Sequence, residues 1–127
     1  MNARETAVNI VYRVLYEGGY ASLLLRQIPK DCPKEDRGLI SEIVYGTLRN
    51  RSLLELQLKD LAKKRVRPKT AALLDVSLYQ LYFMDRIPAY AVIDEAVRLA
   101  AKQEKGFVNA VLRRASERDP VQPREEG

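Results

Sequence analysis

Between Arg49 and Lys69 stand eight bases, Arg49, Arg51, Lys59, Lys63, Lys64, Arg65, Arg67 and Lys69, against two acids, Glu55 and Asp60. This stretch carries a formal +6, while the other 14 bases and 15 acids sum to −1, so the net +5 of the 127-residue chain is a local feature. Clustered cations suit a polyanion, because neighbouring phosphates add their attraction and each contact releases condensed counterions. A solvated loop rich in Lys and Arg is the competing reading of the same residues. Arg4 and Arg13 lie in the first helical segment, and Arg113 and Arg114 lie near the end of the last. For Arg113 and Arg114, compensation of a helix dipole competes with a binding role. The candidate nucleic-acid contacts are therefore Arg4, Arg49, Arg51, Lys63, Lys64, Arg65, Arg67, Lys69, Arg113 and Arg114.

Other chemistry falls away on residue type. The chain has one cysteine and no histidine, which excludes a disulfide, a histidine-activated nucleophile and a Cys/His zinc site. Cys32 is followed by Pro33 and has no candidate base beside it, so it reads as a surface or capping residue. The glycines stand at 18, 19, 38, 46, 106 and 127, so no G-x-G-x-x-G turn exists to hold a nucleotide cofactor. Asp94 and Glu95 are adjacent, and helical neighbours point about 100° apart, so they do not converge as an acid/base pair. Asp94 is expected to face Arg86 or a helix end, while Asp75 and Asp85 bracket an apolar helix as surface or capping groups. Seven tyrosines invite base stacking. A plainer role fits most: Tyr12, Tyr45, Tyr79 and Tyr82 fall on or beside apolar stripes, and Tyr20 and Tyr90 stand where they can staple helix starts. No catalytic, cofactor-binding or metal-ligating set remains.

The elements that must position these residues read as all-α, with helical periodicity throughout and no strand-like alternation. A first helix is expected from about Ala3 to Tyr16, stopped by Gly18-Gly19. A short one follows over Ala21 to Gln27. Asp31 is the expected N-cap, with Pro33 in the first turn, of a core helix carrying Ile40, Ile43, Val44, Thr47 and Leu48. Gly46 inside it costs about 1 kcal/mol relative to alanine, which implies a close backbone or a bend. Ser52 to Ala62 forms the next helix, with Leu54, Leu58 and Leu61 on one face and Leu53 and Leu56 on its flank. After the basic loop, Pro68 restarts the chain into a helix to Met84 that is apolar over most of its circumference and hence central. Pro88 ends that run and opens a helix over Ala89 to Lys102, and a last helix presents Val108, Val111, Leu112 and Ala115 to the centre. No apolar run approaches the roughly 18 residues of a membrane span, and Arg4 and Glu5 interrupt any signal peptide, so a soluble, cytoplasmic chain is expected. The domain is expected to end near Arg118, with residues 119–127, polar and holding Pro120 and Pro123, as a linker.

The order of these parts is also a family signature. VYGTLRN (44–50), LYQLYFMDRIP (78–88), EAVRLA (95–100) and GFVNAVLRR (106–114) resemble the NusB-like all-helical RNA-binding fold, a bundle of about six to seven helices. More narrowly, they resemble the copy at the N-terminus of Sun/Fmu-type small-subunit rRNA (cytosine-5) methyltransferases. The resemblance spans about Arg4 to Arg118. It implies a domain that positions small-subunit rRNA for a Rossmann-type catalytic domain in cis, with S-adenosylmethionine bound there and not here. In that family a proline precedes the catalytic cysteine, whereas Cys32 precedes a proline, so this chain is expected to be non-catalytic alone. In the NusB fold the first helix carries arginine-rich RNA contacts, and here only Arg4 stands near its start. A free-standing NusB-type antitermination factor, binding RNA with a ribosomal protein, is the alternative, and a helical protein-docking module without RNA is a third. The gene beyond the codon for Gly127 separates the first two, by a stop or by continuation into a Gly-rich turn and a Pro-Cys motif.

Overall fold

A computed structural model describes residues 2–123, in which seven α-helices and one 3-10 turn follow one another and no strand occurs. The helices are α1 (Ala3–Tyr16), α2 (Ala21–Arg26), α3 (Lys34–Arg49), α4 (Arg51–Ala62), α5 (Pro68–Phe83), α6 (Ala89–Leu99) and α7 (Lys105–Ser116), with the 3-10 turn at Lys102–Glu104. The last four residues of the expected linker, 124–127, lie outside the described residues.

Helix α5 is the hub. Every residue from Thr70 to Gln80 is buried, and α1, α3, α4, α6 and α7 all pack against it. A helix apolar on all sides has no solvent face to offer, so five neighbours share its circumference. Its buried polar groups turn back on the helix: Ser77 Oγ donates to the Leu73 carbonyl at 2.7 Å and Gln80 Nε2 to that of Val76 at 3.1 Å. The surrounding stripes are those read from periodicity, including Ile40, Ile43 and Val44 of α3, Leu54, Leu58 and Leu61 of α4, and Val108, Val111, Leu112 and Ala115 of α7. At the N-terminus, Asn2 Oδ1 accepts from the Glu5 amide at 3.0 Å, a side-chain cap that holds α1 in place. Gly18, at φ 70°, makes the left-handed turn that follows α1.

Several expectations are overturned. A Cβ on Gly46 would lie 2.1 Å from Tyr79 Cζ, so the glycine makes room for a tyrosine ring on α5 and not for a neighbouring backbone. Asp75 is 4% exposed, a core residue of α5 and not a surface cap. Cys32 is buried as well, its Sγ 3.6 Å from the Pro33 carbonyl. Pro33 itself is the N-cap of α3, and Asp31 does not cap it, because the chain enters the helix two residues later than its spacing suggested. Arg86 pairs with Glu42 of α3 at 2.7 Å, leaving Asp94 exposed. Tyr20 and Tyr90 are 71% and 72% exposed and staple nothing, and Tyr45 also faces outward. The helix expected over Ala89 to Lys102 ends at Leu99 and tightens into the 3-10 turn before α7.

Candidate nucleic-acid interface

The basic stretch begins where α4 stops. Lys63 ends that helix in the left-handed region at φ 53°, a conformation costing a non-glycine residue about 1–2 kcal/mol. The chain then turns outward through residues 63–67, and Pro68, fitted to the first turn of a helix, starts α5. Lys63, Lys64, Arg65, Arg67 and Lys69 are thereby gathered at one end of the bundle, all exposed.

Two aromatic rings from other helices underlie this group. Lys64 Nζ sits 4.0 Å from the centroid of the Phe107 ring at the start of α7, and Lys69 Nζ lies 5.6 Å from that of Tyr12 on α1. A cation over an exposed ring gains about 0.5–1 kcal/mol, enough to bias a long side chain without removing its charge from solvent. Beside Lys69 opens a cleft of about 300 Å³ between α1, α5 and the end of α6, bordered by Glu5, Asn9, Tyr12, Thr70 and Leu99. Arg67 Nε reaches the buried Glu104 carboxylate at 3.9 Å while its side chain stays 71% exposed. Lys105 closes the same end from behind, donating to the Val97 and Arg98 carbonyls at 2.6 and 3.2 Å and so satisfying the C-terminus of α6. Among the described residues, Lys63, Lys64, Arg65 and Lys69 form no ion pair.

The other candidate residues lie elsewhere or are occupied. Arg49 and Arg51 stand at the opposite end of α4, whose 12 residues span roughly 18 Å. Arg51 Nε is bound to Glu55 at 2.9 Å. Arg4 Nε donates to Gln80 Oε1 at 2.7 Å, near the far end of α5 from Lys69. Arg113 Nε reaches Asn109 Oδ1 at 3.3 Å on its own helix. Arg114 Nη1 donates to the Leu61 carbonyl at 3.3 Å, so it caps the end of α4 and not its own helix. A single ridge from Arg49 to Lys69 therefore does not form; five of the ten residues converge. Sequence reasoning missed Phe107, which stands off the Val108, Val111, Leu112, Ala115 stripe and beside a glycine. An aromatic off the buried stripe was the available signal.

Buried polar groups complete the electrostatics. Burial pushes the Asp75 carboxyl from its ordinary 3.8 up to about 7; Glu55 adds to the rise and Arg51 opposes it. One Asp75 oxygen has no hydrogen-bond partner. Tyr16 is likewise raised, first by burial and then by Asp75, which places Tyr16, Arg51, Glu55 and Asp75 in one electrostatic group at the start of α4. Among the described residues no cluster of His, Cys, Asp and Glu can hold a metal ion, and no helix is long and apolar enough to cross a membrane.

A family model described as the NusB family matches residues 1–117. The chain is 38% identical over 120 residues to "Probable ribosomal RNA small subunit methyltransferase B" of Bacillus subtilis (strain 168), covering 88% of this chain and 27% of that protein. It is 40% identical over 141 residues to "Ribosomal RNA small subunit methyltransferase B" of Pseudomonas putida, covering 95% of this chain and 31% of the relative. The chain thus spans under a third of these relatives' length. The solved structure of T. maritima NusB superposes with a TM-score of 0.84 at 19% identity, covering 94% of this chain and 91% of that one, a likeness of fold.

Proposed function

The chain belongs to the NusB family, and on that footing we propose that it is the RNA-binding, substrate-positioning domain of an S-adenosylmethionine-dependent small-subunit rRNA (cytosine-5) methyltransferase. In this reading residues 1–118 grip rRNA, residues 119–127 lead toward a catalytic domain in cis, and the chain alone transfers no methyl group. The observation that carries it is the group Lys63, Lys64, Arg65 and Lys69 at one end of the bundle, without an ion pair among the described residues, with Lys64 over Phe107 and Lys69 over Tyr12. Phosphate contacts fix register and orientation without reading sequence, which is the task of a module that presents one base to an enzyme elsewhere. The names of the relatives at 38% and 40% identity support the rRNA substrate, and their greater length supports the second domain.

The residues present do not fit S-adenosylmethionine. The described residues contain no strand, and no glycine-rich turn exists to cradle its carboxylate or adenosine. Cys32, the sole thiol, is buried against Pro33 and presents no nucleophile. What this chain supplies is attraction and placement. Its exposed cations draw the phosphate backbone in, and the rings beneath Lys64 and Lys69 bias where those two side chains extend.

The test is filter binding of small-subunit rRNA fragments across a salt series. With five clustered cations engaged, log affinity should fall against log salt with a slope of about −4. Lys63, Lys64 and Arg65 all changed to Glu should reduce the slope's magnitude by about three and cut affinity at least a hundredfold. Equal RNA retention by this variant and the unaltered chain, or a flat salt dependence, would remove the cationic grip.

A further inference from the structure

Helix α4 carries a polar residue where its stripe calls for a leucine. Gln57 is 0% exposed, flanked in the helix by Leu54, Leu58 and Leu61, and no residue of the bundle's other helices satisfies its amide. Its partner is the polypeptide beyond α7. Gln57 Nε2 donates to the Val121 carbonyl at 2.6 Å and Gln57 Oε1 accepts from the Val121 amide at 2.6 Å. One buried side-chain amide thus saturates both backbone groups of a single residue in a segment without secondary structure. Freeing Val121 from it would leave the buried Gln57 amide without its partners.

One further tie holds the same segment, a third anchors the end of α7 just before it, and all three follow α4 in order. Arg114 Nη1 donates to the Leu61 carbonyl, Arg118 Nη2 meets Asp60 Oδ2 at 2.5 Å, and Val121 lies on Gln57. Pro123 then borders a groove of about 580 Å³ formed by Arg49, Asn50, Ser52, Leu53 and Leu56. The segment therefore runs antiparallel to α4, from its C-terminus back toward its N-terminus.

We propose that Gln57 is a latch that docks residues 119–123 on the outer face of α4, so that the chain leaves the bundle in one direction, at the α3–α4 corner beside Arg49. The latch reads backbone only, so it fixes register and heading without demanding a particular side chain at position 121. A module continuing from this strap would be held near Arg49, Leu53 and Leu56 and away from the Lys63–Lys69 end, leaving that end open to RNA. That last step rests on the function proposed above; the docking itself does not.

The test uses the 127-residue chain with Cys32→Ala and nitroxide labels on Gly38→Cys, an open position on α3, and Gln122→Cys. A single narrow distance distribution is expected. Gln57→Leu should broaden it, and so should Val121→Pro, which deletes the amide donor outside the helices; its helical content should stay unchanged, with melting lowered only by the unpaired Gln57 oxygen. Hydrogen exchange at the Val121 amide should accelerate at least tenfold in Gln57→Leu. A broad distribution in the parent, or a narrow one in Val121→Pro, overturns the latch. RNA retention by Val121→Pro should stay within about twofold of the parent; if neither protein binds RNA, the RNA reading fails while the latch stands.

Discussion

At the C-terminal end of α4, Lys63, Lys64, Arg65 and Lys69 extend without acidic partners among the described residues, whereas at its N-terminal end Arg51 is held by Glu55 at 2.9 Å and sits near a buried carboxyl. The two ends are about 18 Å apart and read as one basic stretch in sequence. Charge at the first end keeps its full attraction for a polyanion, while at the second Arg51 is partly cancelled by Glu55 one turn along the same helix. Local charge density is therefore a poor guide to binding unless the neighbours across space are known.

The largest effect that can sharpen this contrast lies in the paired end. Burial, with Glu55 adding, holds the Asp75 carboxyl near 7 against an ordinary 3.8. The folded chain thus keeps a proton that the unfolded chain releases. Its contribution is fully present below about 4 and is lost as pH rises through 7, a decline of about 4 kcal/mol at 1.4 kcal/mol per unit. Asp75→Asn removes that term, so the variant should gain stability over the parent as pH rises from 4 to 8, with little difference at pH 4. Denaturant melts at both values give the comparison directly, since other titrating groups cancel between the two proteins. A constant difference across the range would show that Asp75 is charged in the fold, and the corner would not be the desolvated site described.

A smaller effect belongs to the unpaired end. Phe107→Leu keeps an apolar contact but removes the ring under Lys64, 4.0 Å away. Losing a cation–π contact of about 0.5–1 kcal/mol should weaken RNA binding roughly threefold, with the salt slope unchanged because no charge is lost. A loss of tenfold or more would instead identify the ring as a stacking platform for a base.

Much of the architecture was legible because helix period and chain breakers are local. The α5 hub announced itself by apolar residues around its whole circumference, and Gly18, Pro68 and Pro88 marked limits of α1, α5 and α6. What stayed hidden depends on pairs distant in sequence. Gly46 and Tyr79 are 33 positions apart, Gln57 and Val121 are 64 apart, and no periodicity links either pair. Asp75 was misplaced for a related reason: a single acid in an apolar helix reads as a face toward water until five packed neighbours leave it none. At the interface, the basic loop was visible from composition, but its division from Arg49 and Arg51 required the length of α4, and its aromatic floor required the packing of α1 and α7 against the α4–α5 junction.

The smallest expected effect is the one that most directly tries to break the contrast. Arg49→Glu with Arg51→Glu reverses two charges, one fewer than the loop variant, at the far end of the same helix. At 0.15 M salt the Debye length is about 8 Å, so charges roughly 18 Å from the Lys63–Lys69 group act on RNA held there only weakly. RNA affinity should change by less than about threefold, and the slope should stay near −4. Arg51→Glu also places a second carboxylate against Glu55, so melting is followed alongside binding to separate a folding loss from a binding loss. A folded double variant that loses RNA as steeply as the loop variant would mean that the bound RNA tracks the full length of α4, over the strap, and the two ends would then act as one surface.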